Sequence, residues 1–140
     1  GGSMRPAVGS LEILIPGQPV PAYRSRIVHG RKAYNPNRYA TWLDMAKVYA
    51  RDAAIKALGA IPGWRTGVCV KCEFYGANDL ADLDNLVKAA LDALQPAIIF
   101  DDRQVKALTA HRHPAQEGPV FEGRKTIVTV TILDPLEVSE

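Results

Sequence analysis

The stretch Asp82-Leu83-Asp84-Asn85-Leu86-Val87-Lys88, continued by Ala-Ala-Leu-Asp-Ala-Leu over 89–94 and by Phe100-Asp101-Asp102-Arg103-Gln104-Val105, decides how the rest of the chain is read. At about 100° per residue, Leu83, Leu86, Val87, Ala90 and Leu94 share one helix face, and Asp84, Lys88 and Asp92 share the other. The spacing predicts an amphipathic helix with Asp84 as its N-cap, one apolar side to bury, and Lys88 presented beside the acids. If Asp82, Asp84 and one of Asp101 or Asp102 converge, each pair at about 4 Å repels by roughly 4 kcal/mol at an effective dielectric of ~20. Such a cluster needs a cation or protonation. Hard oxygen ligands without a neighbouring cysteine or histidine favour Mg²⁺ or Mn²⁺ over zinc. Each half alone has an ordinary explanation: a capping pair with a solvated i, i+4 lysine, and an acidic turn. Their occurrence on both flanks of one helix points to a metal site.

Working outward, Leu11, Ile13 and Ile15 alternate as a first strand that Pro16-Gly17 terminates. Residues 27–34 read as a short hairpin turning at His29-Gly30, a ribbon that presents basic side chains. Asn35 as N-cap with Pro36 at the first position opens a long helix whose expected buried stripe is Tyr39, Leu43, Ala46, Ala50, Ala53 and Ala57, ended by Gly59. Strands are expected over 67–75, 105–112 and 125–133, with 97–100 as a short extended run delivering Asp101-Asp102. Asp79, in its Asn-Asp context, reads as a turn, and Asp92 as a structural polar residue. The order β, β-hairpin, α, β, α, β, β predicts an α/β or α+β domain, a mixed sheet with two main helices packed on it.

The chain has 140 residues, 47% of them hydrophobic, which suits one domain with a real core. Residues 1–4, Gly-Gly-Ser-Met, read as a tag remnant ahead of a single domain over 5–140. No run is apolar enough for a signal or membrane helix, so a cytoplasmic location is expected. A net charge of +2 is too small to attract a polyanion by itself, but Arg24, Arg26, Arg31, Lys32 and Arg38 cluster between 22 and 40 with no acid among them. Cys69 and Cys72 lie on an alternating strand, so they face opposite ways, which argues against a zinc or redox pair. His111 and His113 share a strand face but lack a third ligand nearby.

The motif Asp82-x-Asp84-Asn85-x-x-Lys88, Asp92-Ala93-Leu94, then Asp101-Asp102-x-Gln104-Val105, resembles the RusA family of Holliday junction resolvases of bacteria and their prophages. So do Ile15-Pro16-Gly17-Gln18-Pro19-Val20-Pro21 with Arg24 and Arg26, and Tyr34-Asn35-Pro36 at the entry to the long helix. The resemblance covers most of residues 11–133. Carried residue by residue, it implies that Asp82, Asp84 and Asp102 are the essential acids and Lys88 the essential lysine. Gln95-Pro96-Ala97 departs from the family's usual turn and the link is slightly short, which leaves Asp101 or Asp102 open as the ligand.

The resemblance implies a Mg²⁺-dependent (or Mn²⁺-dependent) endodeoxyribonuclease that resolves four-way junctions by paired symmetric nicks in recombination and repair. In that reading Asn85 orients a carboxylate, Asp101 backs the metal site, and Arg24, Arg26, Arg31, Lys32 and Arg38 contact phosphates. A junction with two-fold symmetry calls for a homodimer. The alanine stripe of the long helix, Trp42 and Tyr49, the run Ile98-Ile99-Phe100 and the edge of strand 125–133 are its candidate interfaces. Two rivals are a non-catalytic branched-DNA-binding module and a two-carboxylate glycosidase. Lys88 argues against the latter, because a neighbouring cation lowers the carboxyl pKa that a general acid needs raised.

Overall fold

The computed structural model describes residues 9–22, 27–28, 31–32, 36–118 and 123–133. Its elements are β1 (Ser10–Pro16), β2 (Ile27–Val28), β3 (Arg31–Lys32), α1 (Pro36–Leu58), β4 (Val68–Tyr75), α2 (Leu83–Leu94), a 3₁₀ turn (Asp102–Gln104), β5 (Val105–His113) and β6 (Lys125–Ile132). The four long strands form one mixed sheet in the order β1-β6-β4-β5, with both helices packed on it, an α+β domain as the patterning predicts. β2 and β3 pair separately as an antiparallel ribbon, Ile27 opposite Lys32 and Val28 opposite Arg31. The expected turn at 29–30, the Asn35 cap and the 1–4 remnant lie outside the described residues.

Strand alternation sorts the sheet into two faces. Leu11, Ile13 and Ile15 of β1, Val68, Val70, Cys72 and Phe74 of β4, and Val128 and Val130 of β6 are buried. Cys72 is thus a core residue whose thiol burial pushes up to about 12, and Cys69 lies on the other face, so both stay free. The helices close this core, α2 with Leu86, Ala89, Ala90, Leu91, Ala93 and Leu94.

α1 meets the core through Trp42, Ala46, Ala50 and Ala54, with Tyr39, Leu43 and Ala53 at the margin. The stripe is rotated from the expected one: Ala57 is exposed, while Trp42 is 5% exposed. Steps of four residues with small side chains let α1 approach β1 and α2 closely, and Trp42 is the one large side chain of this buried stripe. Of the expected interface residues, Ala46 and Ala50 of the alanine stripe, Trp42, and Ile98 with Ile99 are therefore spent inside the chain. β6 is also unavailable as an edge, since it is central, paired with β1 on one side and β4 on the other. Tyr49 and Phe100 remain exposed.

The pairing that matters for function is β4 with β5, which are parallel, Val68 opposite Val105 and Tyr75 opposite His113. Parallel neighbours require a crossover, and α2 is that crossover. A crossover helix runs against the strand direction, so its two ends stand at opposite ends of the sheet.

Candidate active site

At the first of these ends, β4 leaves the sheet at Gly76 and the 76–82 loop turns into α2. Gly76 takes φ 76°, which glycine alone tolerates easily. Asn78 Oδ1 accepts from the Leu80 amide at 2.8 Å, so the Asn78-Asp79 segment is the expected turn. Two arginines hold the loop by its carbonyls. Arg112 of β5 donates to Ala81 O at 2.5 Å and Asn78 O at 2.9 Å, and Arg124 donates to Gly76 O at 3.0 Å. Gln18 also donates to Gly76 O, at 3.3 Å, and accepts from Arg38 Nη2 at 2.7 Å, which ties the start of α1 to the same loop.

Asp82, not Asp84, is the N-cap residue of α2, and its side chain makes no capping bond. Asp84 lies in the first turn. Both carboxylates are exposed, at the positive end of the helix dipole and beyond the carboxyl end of a parallel strand, a position where open α/β sheets place ligands. Asn85 is buried, and its carbonyl accepts from the Ala22 amide at 2.9 Å. Its side-chain Oδ1 has no hydrogen-bond partner among the described residues. The Ala22 contact brings the segment after β1 over the start of α2. Arg24 and Arg26, which follow, lie outside the described residues; Arg31 and Lys32 form β3, and Arg38 is exposed in the first turns of α1.

Lys88 follows Asp84 by one turn, yet its ammonium pairs with Asp92 Oδ1 at 2.8 Å. The other Asp92 oxygen accepts from Tyr39 Oη of α1 at 2.5 Å. Asp92 is thus structural, as its place in the sequence suggests, and it links the two helices.

Asp101 and Asp102 stand at the other end. Asp101 caps the 3₁₀ turn: its carboxylate accepts from the Arg103 amide at 2.7 Å and pairs with the Arg103 guanidinium at 3.0 Å. Those bonds pull its pKa down to about 2. Gln104 completes a capping box by accepting from the Phe100 and Asp101 amides, and its amide donates to Trp64 O and Thr66 O at 2.8 and 2.9 Å. Asp101 is therefore committed to local structure. Asp102 is exposed in the turn itself.

One chain does not unite the two halves. Ala81, beside Asp82, is fastened to Arg112, and Asp102 lies just ahead of Val105. The length of β5 between Val105 and Arg112 is roughly 23 Å at about 3.3 Å per residue, and α2 spans about 18 Å. Accordingly, among the described residues no three of Asp, Glu, His and Cys are gathered so as to hold a metal. The donor chemistry of each half suits a hard cation, and among the described residues of one copy the two halves stand apart.

A family model described as endodeoxyribonuclease RusA matches residues 16–132. The chain belongs to the RusA endodeoxyribonuclease family. No curated protein matches it. The RusA match spans both acidic halves, Lys88 and the β2–β3 ribbon, and no helix among the described residues is long and apolar enough to cross a membrane.

Three contacts around this candidate site are not readable from local pattern. Arg112 and Arg124 act on a loop more than thirty and forty residues away, and Tyr39 reaches Asp92 across 53 positions. The Asp101–Gln104 box is different, since Asp-x-x-Gln is a capping signature in the sequence itself. Glu73, His111 and His113 also assemble off the main site: Glu73 binds both imidazoles, and Tyr75 stacks on His113 at 4.6 Å. These bonds hold the Glu73 carboxyl below its usual range and use the histidines in a surface cluster.

Removal of the Arg112 clamp has a defined cost. Arg112→Ala leaves two loop carbonyls without charge-assisted donors, and urea denaturation is expected to show a loss of about 1–3 kcal/mol. A stability within error of the parent would mean that the loop holds Asp82 without Arg112.

Proposed function

We propose that this RusA-family chain is a Mg²⁺-dependent, structure-selective endonuclease that resolves four-way DNA junctions by paired symmetric nicks, in recombination and repair within a bacterial or prophage-bearing cytoplasm. The observation that carries the reading is the exposed Asp82–Asp84 pair, set at the open end of the β4–β5 pair in a chain of this family. Mn²⁺ is the alternative ion for the same donors.

The working unit in this reading is a homodimer with two equivalent sites. What supports it is the separation within one chain: Asp82 and Asp84 need an acid that their own Asp102 is too far away to provide. A second copy related by a two-fold axis would offer its Asp102 to the first and receive the same in return. Asp102 is preferred over Asp101, which Arg103 and the capping box already engage. Asp82 and Asp84 of one copy with Asp102 of the other would hold the divalent ion, which would supply Lewis-acid polarisation of a phosphodiester and a lowered pKa for an attacking water. Lys88 contributes a fixed positive charge for the oxygens of the scissile phosphate, whose negative charge grows in the transition state.

Arg24, Arg26, Arg31, Lys32 and Arg38 are the proposed phosphate contacts, which position DNA without reading its sequence. Arg24→Ala and Arg26→Ala are expected to weaken binding to linear and branched DNA alike, and to flatten the salt dependence by about one unit per lost contact. Binding isotherms at several salt concentrations read this directly, and unchanged slopes in both variants would make the segment a bystander.

A four-way junction incubated with and without Mg²⁺ tests the main proposal. Paired nicks that require the ion are expected. Tight junction binding with no cutting under either condition would favour a non-catalytic binding module on the same fold.

A further inference from the structure

Lys88 has an acid one turn before it, Asp84, and one turn after it, Asp92. Local helix physics favours the first. An acid N-terminal to its lysine at i, i+4 is the better arrangement, and long helical side chains lean toward the N-terminus. The ammonium nevertheless lies 2.8 Å from Asp92 Oδ1.

The difference between the two acids is Tyr39. This α1 residue is half-buried, and its hydroxyl donates to Asp92 Oδ2 at 2.5 Å, which fixes the carboxylate and points Oδ1 at Lys88. Burial and the Asp92 carboxylate push the Tyr39 hydroxyl well above its ordinary pKa, so it remains a donor across the working pH range. An exposed i, i+4 pair by itself contributes only about 0.3–0.5 kcal/mol, largely because two mobile side chains must be ordered. Here one of the two is already ordered by a contact from another helix.

We propose that Tyr39 and Asp92 are positioning residues that hold the Lys88 ammonium one turn away from Asp84. This leaves the Asp84 carboxylate un-neutralised and keeps a positive charge at a set distance from it. The inference rests on the reading of Asp84 and Lys88 as site residues. Without the Tyr39–Asp92 support, Lys88 falls back to its locally preferred partner, Asp84, and both groups lose their roles together.

The test uses the full chain labelled with ¹⁵N-lysine, in which the Lys88 Nζ resonance is assigned by its absence from Lys88→Arg. Asp92→Asn and Tyr39→Phe are each expected to shift that resonance. Asp84→Asn is expected to move it further only in the Asp92→Asn background, because only there does Lys88 rest on Asp84. In junction cleavage, both variants are expected to lower kcat by about tenfold with KM nearly unchanged, the signature of a misplaced group rather than a lost binding contact. Tyr39→Phe keeps the ring and its packing, so its effect isolates the hydroxyl. A Lys88 resonance unmoved in both variants, or one that responds to Asp84→Asn in the parent protein, would overturn the proposal. If the parent binds junctions without cutting them, the nuclease reading fails while the resonance still decides the positioning.

Discussion

Asp82→Asn, Asp84→Asn and Asp102→Asn are each expected to lower junction cleavage by at least about 10³-fold, which is the loss of roughly 4 kcal/mol of transition-state stabilisation. Binding should persist or tighten, because removing a carboxylate removes repulsion of the phosphates. Asp101→Asn should do less to catalysis, since Asp101 is occupied by the Arg103 amide and guanidinium. The informative experiment is a mixture. If each site takes Asp82 and Asp84 from one copy and Asp102 from the other, a dimer of Asp84→Asn with Asp102→Asn carries one doubly impaired site and one intact site. Mixing two inactive proteins then restores single-strand nicking but not resolution. A site built within one chain cannot do this, since every copy in the mixture lacks one acid. Full activity in any single variant would remove that residue from the site, and an inert mixture would remove the shared-site arrangement.

Lys88→Ala is the second large effect, with cleavage expected to fall by roughly 10²-fold or more while junction affinity changes little. A fixed cation near the scissile phosphate matters more as charge builds in the transition state than in the bound substrate. Its half-exposed ion pair with Asp92 contributes little to stability, so the variant should remain folded. Steady-state kinetics on a four-way junction separates the outcomes. A drop in kcat at constant KM fits the proposed role, whereas matched losses in affinity and turnover would make Lys88 an ordinary phosphate contact.

Periodicity and neighbouring residues suffice for the amphipathic helix that forms α2, though its cap falls on Asp82 where the pattern put Asp84, for the strands β1, β4, β5 and β6, and for the two acidic groups that flank α2. Cys72 as a core residue and Asp79 in a turn were legible for the same reason. Tertiary structure decided what local pattern cannot carry. The stripe of α1 is set by which face β1 and α2 cover, so Trp42 turns inward and Ala57 outward. The partner of Lys88 is set by Tyr39, a residue on another helix. Above all, the distance between Asp84 and Asp102 follows from the direction in which β4 and β5 pair. Parallel pairing makes α2 a crossover that spans the length of the sheet, and so it carries the two halves of the motif to opposite ends of one chain.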